Sequence, residues 1–120
     1  MNTEEFNDSK TTVDDLKRIV DRFVAERHWE RYHTPKNLAS SAAIEAAELM
    51  ECFQWLTPEE SYDVKRDPAK KQAIAEEICD VVSYLLSLCL QLDVDLASEF
   101  VKKYEKNARK YPVGGADRFD

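Results

Sequence analysis

Apolar side chains recur at helical spacing through most of the chain. Val13, Leu16, Val20 and Phe23 lie three or four residues apart, which is the period of one helix face. Thr12 precedes them, and Asp15 follows it by three positions. This is a capping box with Asp in place of the usual Glu, and it starts a helix that runs to about Arg27. The next segment, RHWERYHTPKNL at 27–38, is aromatic and basic and breaks the period; it reads as a connection. A second helix starts near Pro35 or Lys36, carries the stripe Leu38, Ala42, Leu49, Phe53 and Leu56, and ends near Leu56. TPEE at 57–60 combines an N-cap Thr, a proline at the first helical position and a glutamate that closes a capping box. It opens a short helix to about Arg66. Asp67 before Pro68 repeats the device for a third long helix, about 68–91. Asp93 or Asp95 caps a last helix, whose stripe is Leu96, Phe100, Tyr104 and Ala108 and which YPVGG at 111–115 ends.

Four main helices with short connections predict an all-α fold, a four-helix bundle. The 120 residues suit one helical domain over 12–112, between a flexible N-terminus at 1–11 and a flexible tail at 113–120. Composition agrees with helices: the only two glycines, Gly114 and Gly115, are too few for the turns of a β-rich chain. The third long helix adds a demand. Ile74, Ile78, Val81, Leu85, Leu88 and Leu92 form its main stripe, and Cys79, Val82, Leu86, Cys89 and Leu90 add apolar surface on most other sides. Such a helix must be covered nearly all round. A single chain of this size has few helices to do that, so a homodimer with this helix near the interface is expected.

The net charge of −7 does not suit general nucleic-acid binding, which needs a cationic face. It fits either a soluble acidic surface or carboxylates gathered around a cation. Cys52, Cys79 and Cys89 are odd in number and form no Cys-x-x-Cys pair. They read as reduced thiols of a cytoplasmic protein, buried as small hydrophobes rather than bound to zinc. The longest apolar run, 81–90, is interrupted by Ser83 and Ser87 and is too short to span a bilayer; no membrane association is expected.

Carboxylates interrupt two of the apolar faces. At about 100° per residue, Glu45 lies in the middle of the second helix's stripe and Glu48 at its edge, whereas Glu51 turns to solvent. Glu77 and Asp80 flank the main stripe of the third helix, one turn before Tyr84, and Glu76 turns away. An isolated buried carboxylate is costly, and four facing one another repel. A bound divalent cation relieves both problems. An all-oxygen set suits Mg²⁺, with Mn²⁺ as a substitute. Ion pairing is the plainer account of either acid pair alone. Lys36, Lys70 and Lys71, however, sit at helix starts and are not placed to neutralise four acids.

EAAELMECFQW at 45–55 followed by EEICDVVSYLL at 76–86 resembles the MazG-like all-α nucleoside triphosphate pyrophosphohydrolases. Their signature is ExxE, a spacer, then ExxD. ERHWERYHTPKNL, FQWL and KYEKNARKYP resemble the dCTP pyrophosphatase branch, and together the matching segments cover about 20–112. The resemblance implies Mg²⁺-dependent cleavage between the α and β phosphates of a nucleoside triphosphate, dCTP or a modified dCTP, giving a monophosphate and pyrophosphate. It implies Glu45, Glu48, Glu77 and Asp80 as metal ligands, with Glu45 or Glu48 as proton acceptor, the choice being open. It places His33, Trp55 and Tyr84 around the nucleoside and Lys103 and Asn107 near phosphate or sugar, in a dimer or tetramer. On the residues alone, Trp55 fits stacking on a base and plugging a bundle end equally well, Trp29 reads as packing, and the cations after Lys102 suit a helix C-terminus. A dUTP or broad non-standard nucleotide hydrolase is the alternative within the class. A non-catalytic helical interaction module with ion-paired acids is the alternative outside it.

Overall fold

The computed structural model describes residues 1–115. The described residues hold five α-helices, α1 (Val13–Glu26), α2 (Pro35–Glu51), α3 (Pro58–Ser61), α4 (Pro68–Gln91) and α5 (Leu96–Lys110). Three 3₁₀ turns, Thr3–Glu5, Glu30–Tyr32 and Tyr62–Arg66, complete them, and no strand occurs among the described residues. The expected tail at 113–120 lies, from residue 116 onward, outside them.

Helix starts follow the local chemistry. Thr12 accepts from the Asp15 amide while the Asp15 carboxylate accepts from the Thr12 amide, and Thr57 and Glu60 form the same reciprocal pair. Asp67 caps α4 through two amides, with Pro68 behind it. Asp95, not Asp93, caps α5. Asp93 instead takes a left-handed φ of 54°. There it completes a six-residue C-cap in which the Val94 amide donates to Cys89 C=O at 2.9 Å. α1 ends the same way, with His28 at φ 56° and the Trp29 amide donating to Val24 C=O at 3.1 Å. Two helices thus stop in glycine-type caps without glycine.

The second helix ends earlier than its stripe predicts. α-Helical bonding stops at Glu51, and i→i+3 turns carry the chain from Cys52 to Leu56. The cause lies just downstream. Thr57 must be extended to cap α3, and Pro58 offers no amide and disfavours helix before it.

Packing is concentrated on α4, which lies against α2 and α1. Among the described residues, Leu38 and Ala42 of α2, Val24 of α1, and Leu86 and Ser87 of α4 are buried. The chain covers the main apolar stripe of α4 only in part: Ile74, Val81 and Leu88 are half-buried, and Ile78, Leu85 and Leu92 are exposed. Cys79, expected to be buried, is exposed too, whereas Cys52 and Cys89 are half-buried. The reason is supply. α1 and α2 cover one side of α4, and α5 has no buried residue, with Phe100 and Tyr104 stacked on each other at 4.9 Å at its surface. The chain exposes 9978 Å², against roughly 6,700 Å² expected for a folded monomer of its mass. No helix among the described residues is long and apolar enough to cross a membrane.

Candidate active site

Glu45 and Glu48 project from α2 and Glu77 from α4, and these helices pack directly on each other. One carboxylate oxygen from each of the three acids lies within 4.8 Å of the others. Glu45 Oε2 and Glu77 Oε2 are buried and lack any hydrogen-bond partner. No ion pair among the described residues reaches these acids. The pairs present are Arg18–Asp14, Arg22–Glu26, Arg27–Glu26, Arg66–Asp63 and Lys102–Glu99. Burial, the adjoining Glu48 carboxyl, and the charges of Asp80 and Glu77 push Glu45 up to about 7. Burial and the charges of Glu48 and Asp80 hold Glu77 above the usual carboxylate range. Asp80 stands outside the three-oxygen cluster but close enough for its charge to act on both.

Three converging carboxylates with two orphaned buried oxygens fit a hard divalent cation well, and Lys or Arg is absent from the cluster. A testable consequence concerns the metal-free protein. Glu45 ionises near 4.5 in an unfolded chain and near 7 when folded. Below 4.5 both states hold the proton and folding bears no penalty. As pH rises toward 7 the unfolded chain releases the proton first, so stability falls, and above 7 the loss is complete. Thermal melts in EDTA are therefore expected to drop from pH 4.5 to above 7. Added Mg²⁺ should restore most of the loss at the upper end, because the cation competes with the proton. A flat midpoint in EDTA would contradict this electrostatic picture.

Beside the acids, between α1 and α4, opens a cavity of about 340 Å³. Ile19, Val20 and Val24 line it from α1, Asp80, Ser83, Tyr84 and Ser87 from α4, and His33 from the loop between α1 and α2. Phe23 and Trp29 also line it, meeting edge to face at 5.7 Å. The His33 and Tyr84 rings lie 6.4 Å apart. The cavity thus has aromatic walls and, through Asp80, borders the carboxylates.

The structure brings together Glu45, Glu48 and Glu77, and joins Asp80, His33 and Tyr84 to the cavity. It does not gather the rest. Trp55 is 88% exposed on the turns after α2. Lys103 is exposed and Asn107 half-buried on α5, and none of the three lines the cavity. Trp29, read from sequence as packing, does pack on Phe23 and also forms part of the cavity wall. Its placement depends on the left-handed His28 and on Arg27, whose guanidinium sits 3.6 Å over the Phe23 ring. The aromatic and basic character of 27–33 was the signal available for it.

Comparison with known proteins identifies the family. The chain is 38% identical over 105 residues to bovine dCTP pyrophosphatase 1, covering 88% of this chain and 62% of that protein. It is 39% identical over 102 residues to the human protein of the same name, covering 85% of this chain and 60% of the relative. The chain thus spans about three-fifths of the length of these curated relatives. The crystal structure of a pyrophosphatase from Archaeoglobus fulgidus superposes with a TM-score of 0.77 at 39% identity, covering 89% of this chain and 98% of that one. The sequence pattern of the MazG-like family matches residues 40–119, and the chain belongs to that family.

Proposed function

We propose that the protein is a nucleoside triphosphate pyrophosphohydrolase that cleaves a deoxynucleotide, dCTP or a modified dCTP, to its monophosphate and pyrophosphate. The observation that carries this reading is the carboxylate cluster, with its two unpartnered buried oxygens, opening beside an aromatic-walled cavity. One part suits a cation and phosphates, the other a base. The relatives named dCTP pyrophosphatase and the archaeal pyrophosphatase support the same class. The lack of ion-pair partners for the acids disfavours a purely structural role.

In this proposal Glu45, Glu48, Glu77 and Asp80 hold Mg²⁺, for which Mn²⁺ can substitute. When bound, the cation neutralises phosphate charge and acidifies a water. Glu45 or Glu48 accepts the proton of the attacking water. Trp29, Phe23, His33 and Tyr84 enclose the base, and Trp55 adds stacking surface from the turn after α2. Lys103 and Asn107 contact phosphate or sugar, Lys103 balancing the charge of the leaving pyrophosphate as a point cation. The test is an assay of pyrophosphate against orthophosphate over a panel of standard and modified nucleotides, with Mg²⁺ and with EDTA. Pyrophosphate release that needs Mg²⁺ is expected. Orthophosphate as the first product would place the cleaved bond elsewhere.

The proposed working form is a homodimer or homotetramer, acting in the cytoplasm. The uncovered apolar face of α4 and the unburied α5 support it. Light scattering at micromolar concentration should give at least twice the chain mass, and Leu85→Glu, on the exposed stripe, should shift the population toward monomer. A monomeric wild type would overturn the assembly.

A further inference from the structure

The α4 wall of the cavity carries two serines in an otherwise apolar run, Ser83 and Ser87. Their hydroxyls differ. Ser83 Oγ donates to Cys79 C=O at 2.7 Å, so its proton is used within its own helix. Ser87 is only 5% exposed yet lines the cavity, and among the described residues its hydroxyl has no hydrogen-bond partner. That hydroxyl is not among the side-chain atoms sealed from solvent without a partner, so it opens into the cavity; alanine is nonetheless the better helix former at such a position. The folded chain alone gives the serine no return for that lost helix propensity.

Its position suggests where the return comes from. Seven residues separate Asp80 from Ser87 on one helix, a rise of about 10 Å. That is of the order of the distance from an α-phosphate, through the sugar, to the far edge of a pyrimidine. The α1 side of the cavity is Ile19, Val20, Phe23 and Val24, which offers no polar side-chain atom to a base. Resting on the nucleotide-binding reading of this cavity, we propose that Ser87 is a specificity-determining residue. Its hydroxyl hydrogen-bonds to a polar edge atom of the pyrimidine and so discriminates among nucleotides. A hydroxyl both donates and accepts, so it can meet an amino-bearing or an oxo-bearing edge. Substrates with an apolar or displaced edge leave it unpaired and are rejected.

The experiment compares kcat and KM for the wild type, Ser87→Ala and Ser83→Ala across the nucleotide panel, alongside thermal melts. Ser87→Ala should raise KM for the preferred nucleotide about tenfold, leave kcat nearly unchanged and compress the ranking of the panel. Its melting temperature should stay level or rise, because alanine is the better helix former. Ser83→Ala should change much less. Wild-type KM and ranking in Ser87→Ala would overturn the proposal and leave the hydrolase reading standing. An equal or larger effect in Ser83→Ala would overturn it as well. A wild type that releases pyrophosphate from no nucleotide would overturn the hydrolase reading and this proposal with it.

Discussion

Glu48→Gln and Asp80→Asn are each expected to lower pyrophosphate release by a factor of about 10³ or more. A catalytic divalent cation supplies several kcal/mol of charge stabilisation in phosphoryl chemistry, and each 1.36 kcal/mol is about tenfold in rate. Both side chains are exposed, and the contacts of Glu48 with Glu45 and Glu77 lie within the acid cluster itself. Their amides also remove negative charge from beside Glu45 and Glu77, which those charges disfavour. The variants should therefore keep the helical circular-dichroism spectrum and, without metal, melt no lower than the wild type. They should also lose most of the stabilisation that Mg²⁺ gives. Loss of activity with the fold intact separates a ligand role from a packing role. Full activity in either variant would show that the cluster does not hold the working cation.

Much of this was legible because it is local. Thr12–Asp15, Thr57–Glu60 and Asp67–Pro68 act within one helical turn, and the structure forms all three caps. The placing of Glu45 amid the apolar stripe of α2 needs only the helical period, and the neighbours Leu38 and Ala42 are indeed buried. The face of α4 that the chain covers was not legible. A helix apolar nearly all round has no dominant direction, and coverage depends on where α1 and α2 come to lie. That is why Ser87 is buried while Leu85 is exposed. That Trp29 also lines the cavity was not legible for a related reason. Its role depends on a left-handed turn at His28, a conformation usually signalled by glycine, and on a cavity between elements distant in sequence.

Trp29→Ala is expected to raise KM for the preferred nucleotide by roughly 10- to 100-fold, with a smaller effect on kcat. Aromatic stacking on a base contributes about 1–3 kcal/mol, and binding that is equal in ground and transition states appears in KM. The indole meets Phe23 edge to face, so its removal also loosens that wall. Trp29→Phe is the control, since it keeps an aromatic face in the same turn and should recover most of the loss. Trp29 itself remains 44% exposed, and a residue that serves only packing would normally be better covered. The two accounts thus separate in the readout. A packing residue changed to alanine lowers the melting temperature and leaves KM near wild type. A base-stacking residue moves KM, and saturating nucleotide should then raise the melting temperature of the wild type far more than that of Trp29→Ala. An unchanged KM together with a lowered melting temperature would return Trp29 to packing and leave Tyr84 and His33 as the aromatic contacts for the base.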